Sequence, residues 1–216
     1  MIHQLNKQHS IANHYLAEIR DVNIQKDPLR FRKNMERLAQ IMAFEISKTF
    51  DYKGIEVETP LGICQEKKCT DHIVLATILR AGLSMHCGLL NTFDHASNAF
   101  ISAYRQHHKD GSFEINLEYI SSPELKDSIL LLCDPMLATG ASMDATLKEL
   151  YKIGRPKKTH LITAIASQYG MDYISRSYPE VDIWVGDIDE ELTAKSYIVP
   201  GLGDAGDLSY GPKIQE

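Results

Sequence analysis

The stretch ILLLCDPMLATGAS, residues 129–142, decides the fold of this chain of 216 residues. Residues 129–133 form an unbroken apolar run, which is typical of a strand buried on both faces of a parallel sheet. Asp134 follows at the carboxyl end of that strand, and residues 139–142 open a helical pattern. Because open α/β sheets bind ligands at the carboxyl ends of their strands, this segment predicts a binding site there.

Further apolar runs of the same kind occur on both sides of this stretch. They cover residues 73–79 and 161–166. Helical patterns alternate with the runs at residues 82–93, 142–153 and 171–177. This alternation predicts an α/β fold with a mostly parallel central sheet flanked by helices.

A long helix is predicted near the N-terminus. An Asp-Pro pair at residues 27–28 is a helix-start signal, and apolar residues then recur every three or four positions up to Ile46. We therefore expect a helix over about 28–49. Alternation over residues 54–60 predicts a strand with one wet face. With no repeat or linker along the sequence, residues 1–216 are expected to form one domain.

A polar segment separates two more strand patterns. Residues 99–104 and 113–120 predict the strands of a β-hairpin arm, with a mobile tip over about 105–112. The last twenty residues, 197–216, contain four glycines and two prolines. We expect an irregular loop region there.

Composition and charge exclude several classes of protein. With 44% hydrophobic and 24% charged residues, the chain is neither disordered nor collagenous. The net charge of −6 argues against a nucleic-acid partner. No segment approaches the roughly 18 apolar residues of a membrane span, and the polar N-terminus does not resemble a signal peptide. We expect no membrane partner and a cytoplasmic location.

Neither a disulfide framework nor a protein-held metal is predicted. The four cysteines show no CxxC spacing, and the adjacent pair His107 and His108 would point to opposite faces of a strand. An acidic run could attract Mg²⁺, but a solvated loop is the favoured interpretation of Asp187, Asp189, Glu190 and Glu191.

The helix start at residues 139–142 has the chemistry of a phosphate cradle. Unpaired backbone N–H groups at a helix start bind anions, and the hydroxyls of Thr139 and Ser142 would assist. No lysine follows Gly140, so the segment is not a Walker loop, and a monophosphate ester suits it best. The alternative is structural: a capping hydroxyl and a strand-end carboxylate at Asp134.

Two arginines could bind a second anion. Arg80 follows the buried run 73–79, and its planar guanidinium matches phosphate oxygens. From position alone, a salt-bridged structural residue is the favoured interpretation. Arg105 follows Tyr104 at the predicted hairpin tip, where a solvated loop cation is the alternative.

The segment YIVPGLGDAGD, residues 197–207, spells GxGxxG with its glycines. A dinucleotide-binding interpretation fails, because the ten residues after Gly206 cannot supply a helix, a second strand and a later acidic residue. A glycine-dense loop instead exposes backbone N–H and C=O groups that can recognise the edge of a pyrimidine ring. A plain surface turn is the alternative.

Together these motifs resemble the type I phosphoribosyltransferases, and uracil phosphoribosyltransferases in particular. Residues 133–142 resemble the motif for 5-phosphoribosyl-1-pyrophosphate (PRPP), residues 78–82 the pyrophosphate loop, and residues 197–207 the uracil-binding loop. The resemblance extends over about 28–207. It implies a parallel-sheet core with a small hood, a hairpin arm and a homodimer or higher homo-oligomer.

The resemblance also assigns roles to single residues. It implies catalytic roles for Asp134, Arg105 and Asp204. The implied PRPP contacts are Arg80, Arg105, Asp134, Pro135, Met136, Leu137, Ala138, Thr139, Gly140, Ala141, Ser142 and Asp204. The implied uracil contacts are Tyr197, Ile198, Gly203, Asp204 and Ala205.

The implied activity is transfer of the 5-phosphoribosyl group of PRPP to N1 of uracil, giving UMP and pyrophosphate. Only Asp134 stands where the wider fold usually has two acidic residues, so Mg²⁺ is expected to be carried mainly by PRPP oxygens. GTP is left open as an effector. The alternatives are a catalytically weakened paralogue that senses PRPP or nucleotides, a purine-specific transferase, and an RNA-binding regulator of the same fold, against which the acidic charge argues.

Four places depart from the family's usual pattern: Ala141, where a glycine is usual, and the segments 106–108, 167–169 and 208–210. An alanine at 141 would cost about 1 kcal/mol if the backbone there required a positive φ.

Overall fold

A mixed sheet forms the centre of the computed structural model, which describes residues 1–107 and 113–213, and of residues 104–107 and 113–116 the backbone only. Its strands follow the order β1-β10-β9-β7-β4-β5-β6, and a short β8 pairs with β9. All pairs are parallel except β5 with β6. The strands of this sheet are β1 (Ile2–Gln4), β4 (Ile73–Leu79), β5 (Ser97–His107), β6 (Phe113–Ser121), β7 (Ile129–Cys133), β8 (Met136–Leu137), β9 (Lys158–Ser167) and β10 (Asp182–Asp189).

Six helices lie in the described part of the chain, together with one 3₁₀ turn at Leu5–Lys7. Side chains from α1, α2 and α3 belong to one hydrophobic cluster, and those from α4 and α5 belong to a second, so the helices cover both faces of the sheet. The six are α1 (Ile11–Arg20), α2 (Pro28–Ser47), α3 (Leu83–Thr92), α4 (Ala141–Ile153), α5 (Gln168–Ser177) and α6 (Ala205–Tyr210).

Two small antiparallel pairs complete the described structure. A hairpin of β2 (Tyr52–Thr59) and β3 (Gly62–Cys69) is mostly exposed. The second pair, β11 (Glu191–Leu192) and β12 (Ile198–Val199), connects the end of β10 to the glycine-rich loop. This second pair brings the C-terminal loop back to the carboxyl end of the sheet.

Local signals explain the start of the longest helix. The Asp27 carboxylate accepts hydrogen bonds from the backbone N–H groups of Leu29 and Arg30, and Pro28 occupies the first helical position. The helix ends at Ser47, where the sequence predicts an end near residue 49. Its buried face packs against α1, α3 and α6, and it consists of Phe31, Asn34, Met35, Leu38, Ala39, Met42, Ala43 and Ile46.

The predicted α/β fold with a mostly parallel sheet is confirmed, and the apolar runs 73–79 and 129–133 coincide with β4 and β7. Two expectations about loops are wrong. Strand β5 continues to His107, past the predicted start of a hairpin tip at 105, while residues 108–112 lie outside the described part of the chain. The C-terminal region is not irregular throughout, because α6 lies within it.

The interpretation of the acidic run as a solvated loop is wrong for Asp187 and Asp189, whereas Glu190 and Glu191 are exposed. Asp187 and Asp189 lie at the carboxyl end of strand β10, and Asp189 is only 6% exposed. Both carboxylates bind Arg20, so the charges are neutralised inside the fold rather than by solvent.

None of the helices in the described ranges combines the length and the hydrophobicity that a bilayer crossing requires.

Helix α1 is attached to α2 through Glu18, which gives a prediction about acid stability. Its carboxylate accepts hydrogen bonds from Arg30 Nε at 2.7 Å and Nη2 at 2.6 Å, and from Asn34 Nδ2 at 2.6 Å. These bonds, Arg30 first, lower the pKa of Glu18 from 4.5 to about 2. A lowered folded-state pKa stabilises the protein above pH 4.5, and this contribution is lost as the pH falls towards 2.

Replacing Glu18 with glutamine is therefore expected to lower the thermal unfolding midpoint at pH 7. The difference from the wild type should shrink between pH 4.5 and pH 2, where the native carboxylate also becomes neutral. Thermal melts followed by circular dichroism across this range test the prediction. A difference that stays constant down to pH 2 would contradict it.

Candidate functional site

The predicted phosphate cradle lies between the end of β7 and the start of α4. Residues 134 and 136–143 line one cleft. Gly140 caps α4 with φ +84°, and a Cβ at that position would lie 2.7 Å from Tyr173 Cδ1. Both facts require glycine, because L side chains rarely adopt this backbone conformation. The open N-terminus of a thirteen-residue helix thus faces the cleft.

Ala141 does not strain this loop. Positive φ at a non-glycine residue occurs, within the described ranges, only at Asp127 and Ser196. The N–H of Ala141 donates to Thr139 Oγ1 at 3.3 Å, and the residue begins the helix in an ordinary conformation. The position that requires glycine is 140, so the penalty considered for alanine at 141 does not apply.

The remaining residues of the cradle differ in what they offer a ligand. Met136 and Leu137 form β8, and the Leu137 side chain is buried in the core, which leaves its backbone as the group available to a ligand. The Ala138 carbonyl accepts a hydrogen bond from Ser167 Oγ at 2.5 Å. The Asp134 carboxylate accepts one from the N–H of Met136 at 3.4 Å.

The first turn of α4 is held from behind by Asp144. Its carboxylate accepts hydrogen bonds from Tyr178 at 2.6 Å, Tyr173 at 3.0 Å and Lys148 at 2.8 Å. Burial opposes ionisation, but these three donors lower the pKa of Asp144 overall. The carboxylate therefore stays charged and fixes the helix start against α5.

Arg80 lies at the carboxyl end of β4 and contacts the C-terminal segment. Its Nη2 donates to Asp207 Oδ1 at 3.1 Å and to the Gly211 carbonyl at 3.2 Å. The side chain is 43% exposed. The salt bridge that the sequence favours for Arg80 is thus observed. The same contact with Asp207 brings Arg80 to the glycine-rich loop.

The loop after Arg80 also contacts the phosphate cradle. A Cβ on Gly82 would lie 3.0 Å from the carbonyl oxygen of Cys133, and the Cys133 thiol donates to the Gly82 carbonyl at 3.8 Å. Residues 80–82 therefore lie between the end of β7 and residues 204–207. Three motifs that are far apart in sequence converge on one edge of the sheet.

Asp204 caps helix α6 at this edge. Its Oδ1 accepts from the N–H of Asp207 at 3.0 Å, and its Oδ2 contacts Lys213 Nζ at 3.2 Å. Burial opposes the charge, but these partners lower the pKa of Asp204 below its usual value. A carboxylate is thus kept ionised next to Arg80, whose Nη2 lies 3.9 Å from a Cβ built on Gly206.

The other predicted base contacts lie in the same loop. Ile198 and Ala205 are buried, Gly203 has φ +95° with open space at its Cβ position, and Tyr197 is half-exposed at the start of the loop. Arg105 is placed by its backbone in β5 opposite Ile115, and its side chain lies outside the described structure.

Several residues that hold the site together are not predicted by any motif of the sequence. Tyr210 contacts Ser84 through their hydroxyls at 2.8 Å, and Arg32 donates to the Ser209 carbonyl at 2.6 Å. Asp189 and Arg20 bind the glycine-rich loop from behind. The signal for Asp189 was present, because the apolar residues 183–185 predict a strand that would end among these acids.

Metal-binding side chains are not clustered at the site. Within residues 1–107 and 113–213, no group of three or more His, Cys, Asp or Glu side chains could hold a metal ion. The described cysteines are all free thiols.

The strand order and the phosphate cradle at the carboxyl edge of the sheet define a type I phosphoribosyltransferase fold. A hypoxanthine phosphoribosyltransferase from Staphylococcus aureus shares it with a TM-score of 0.50 and 14% identity, over 74% of this chain and 76% of that one. The AQ2163 protein from Aquifex aeolicus superposes over the full length of both chains, with a TM-score of 0.88 and 33% identity.

Sequence comparison gives the particular family. The family model described as uracil phosphoribosyltransferase matches residues 6–212. A uracil phosphoribosyltransferase from Porphyromonas gingivalis is 50% identical, over 97% of this chain and 98% of its own length. One from Thermococcus gammatolerans is 40% identical, over 93% and 89% respectively. The chain belongs to the uracil phosphoribosyltransferase family.

Proposed function

We propose that this protein transfers the 5-phosphoribosyl group of PRPP to N1 of uracil, releasing pyrophosphate and UMP. The observation that carries the proposal is the convergence of the α4 N-terminus, Arg80 and the glycine-rich loop at one sheet edge. A ligand with a 5'-phosphate at one end and a base at the other would span these groups. The family relationship supports the same activity.

The transfer reaction requires charge stabilisation at two places, the ribose and the leaving pyrophosphate. As the bond to pyrophosphate breaks, positive charge grows on the ribose and negative charge on the leaving group. Arg80 and Arg105 would bind the pyrophosphate, and the carboxylates of Asp134 and Asp204 would face the ribose. Residues 138–142 would hold the 5'-phosphate. The chain's own contribution is then orientation and electrostatics, without a covalent intermediate.

The glycine-rich loop would recognise the base. Main-chain groups of Ile198, Gly203 and Ala205 would bond to the pyrimidine edge, with Tyr197 framing the pocket. Ile198 and Ala205 are buried, and this suits the role because close packing holds the backbone of buried residues in one position. Open space beside Gly203 leaves room for a close approach of the ligand.

The donor set fits a metal that arrives with the substrate. Single carboxylates on separate loops, Asp134 and Asp204, are the groups that would face Mg²⁺ carried by PRPP oxygens. When bound, the ion would neutralise charge on the pyrophosphate. A homodimer or higher homo-oligomer, GTP as an effector and a cytoplasmic location are further parts of this proposal, carried over from the family resemblance.

A pyrophosphate-release assay with PRPP, Mg²⁺ and one free base at a time tests the proposed function. We expect turnover with uracil that exceeds turnover with hypoxanthine. Binding of UMP in calorimetry without any turnover of uracil would contradict the proposal and support a nucleotide sensor. Faster turnover of hypoxanthine would contradict it in favour of a purine transferase.

Arg80 gives a prediction about the pyrophosphate end. Replacing it with lysine keeps the charge but removes the planar fork, so we expect the KM for PRPP to rise about tenfold, as for the loss of one charge-assisted hydrogen bond. The KM for uracil and the unfolding midpoint should change little, because the side chain is 43% exposed. Steady-state kinetics with each substrate varied in turn measure this. An unchanged KM for PRPP would remove Arg80 from the proposed site.

A further inference from the structure

The backbone of Gly201 is bonded on both of its polar groups by buried charges. Its N–H donates to Asp189 Oδ2 at 2.9 Å, and its carbonyl oxygen accepts from Arg20 Nη1 at 2.8 Å. Gly201 lies between Ile198 and Gly203, two of the residues proposed to contact the base. One ion pair therefore binds both polar backbone groups in the middle of this loop.

The ion pair itself has a rigid geometry. Arg20 Nη1 and Nη2 donate to Asp189 Oδ2 and Oδ1, both at 2.8 Å, and Nη2 also donates to Asp187 Oδ2 at 2.8 Å. The Asp189 side chain is 6% exposed and that of Arg20 is 19% exposed. A bidentate pair removed from water in this way resists displacement, because breaking it would leave a buried charge unpaired.

Each half of the pair belongs to a firmly packed element. Arg20 is the last residue of α1, which Glu18 fastens to α2, and Asp189 ends β10, which pairs along its length with β9. The Gln25 amide, oriented so that its nitrogen faces acceptors, adds a bond to the Leu202 carbonyl at 2.8 Å. These bonds connect the loop both to the sheet and to the N-terminal helices.

The turn at Gly201 leaves little room for adjustment. It has φ +57°, and a Cβ there would overlap the carbonyl oxygen of Ile198. The Ile198 carbonyl group therefore lies directly beside Gly201, and the backbone at these two positions is closely packed. Movement of the ion pair would reach the base contacts directly.

We propose that Arg20 and Asp189 are positioning residues for base recognition: they fix the distance between the backbone at residues 198–203 and the pyrimidine ring, and thereby limit the size of the base accepted. This inference rests on the proposed function. The pair touches no reacting atom. Its effect is on the affinity for uracil and on the discrimination between uracil and the larger 5-methyluracil.

The test compares R20A, R20K and D189N with the wild type and with R30A. R30A removes the Arg30–Glu18 hydrogen bonds but keeps the side chains of Arg20 and Asp189 and their bonds to Gly201, so it controls for general destabilisation of α1. For R20A we expect the KM for uracil to rise at least about tenfold, the loss expected when one charge-assisted bond is removed, with the KM for PRPP changed less than about threefold. R20K should recover part of the effect, because its ammonium can replace one donor.

Two further measurements distinguish a positioning role of the ion pair from a general contribution to stability. Selectivity for uracil over 5-methyluracil should fall in R20A and D189N but not in R30A. Amide hydrogen exchange at residues 201–203 should accelerate in the same two variants, and this measurement needs no activity. If R20A does not fold, R20K and D189N carry the comparison.

The outcomes distinguish this inference from the proposed function. A wild-type protein that does not turn over uracil would overturn the proposed function and this inference with it. An active wild type, together with folded R20A and D189N that keep the KM for uracil and the selectivity, would overturn this inference alone. Equal increases in both KM values would also overturn it.

Discussion

Replacing Gly140 with alanine is expected to lower kcat/KM for PRPP about 100-fold. The left-handed conformation of Gly140 costs an alanine about 1–2 kcal/mol, and the added Cβ would lie 2.7 Å from Tyr173 Cδ1. The backbone strain is relieved by a shift at the start of α4, and we expect this shift to turn its N–H groups away from the 5'-phosphate. Since about 1.4 kcal/mol corresponds to a factor of ten, strain and lost phosphate contacts together reach this magnitude.

The neighbouring position supplies a matched control. Ala141→Gly changes the size of the adjacent residue in the opposite direction, but Ala141 already has an ordinary helical conformation. We expect at most about 1 kcal/mol lower stability from the helix propensity of glycine, and little change in the KM for PRPP. Initial rates and thermal melts on both variants measure the contrast. A G140A protein that folds and keeps its KM for PRPP would show that the cradle does not depend on this turn.

Replacing Asp204 with asparagine is expected to lower kcat about 100-fold without unfolding helix α6. Asparagine caps a helix about as well as aspartate, so the hydrogen bond from the N–H of Asp207 can be kept. What is lost is the negative charge that would face the ribose as positive charge develops there. Loss of one such electrostatic partner typically lowers kcat by two orders of magnitude.

Two controls separate charge from structure at this position. Asp204→Ala removes both the charge and the cap, so it should lose the same activity and in addition about 1 kcal/mol of stability. Lys213→Ala removes the ion pair at 3.2 Å but leaves the carboxylate, and should change kcat less than about threefold. Kinetics and denaturant melts on the three variants test this. Near-normal kcat in D204N, or an equal loss in K213A, would contradict a direct role for the carboxylate.

The acid side of the pH profile should reflect the same carboxylate. Its pKa is lowered, so Asp204 remains ionised at pH values where an ordinary aspartate begins to protonate. We therefore expect the negative charge of Asp204 to persist to lower pH than that of an ordinary aspartate.

The elements with strong local patterns were predictable. Strands β4 and β7 coincide with their apolar runs, and the start of α2 follows from Asp27 and Pro28. Strand β3 and helix α6 were missed for physical reasons. Strand β3 reads GICQEKKC, so most of its residues are exposed and carry no core-facing pattern. Helix α6 has six residues in a glycine-rich segment and depends on the Asp204 cap.

The candidate site was likewise predictable only in part. The residue types at positions 80, 134–142 and 197–207 pointed to phosphate and base chemistry, and the structure brings those segments together. The role of Arg105 stays a prediction, as do the individual contacts to PRPP and uracil. The acidic residues at the end of β10 were misjudged because their charge suggested solvent, whereas their partner Arg20 lies in a different part of the chain.

The sequence alone determined the alternation of the central strands and helices and the kind of ligand that the loops suit, because these depend on neighbours within a few residues. Only the tertiary structure decided which charges meet. Arg20 and Gly201 are 181 positions apart, and Arg80 and Asp207 are 127 positions apart. Such pairs form when the sheet packs against its helices, and no local pattern records a contact that only packing creates.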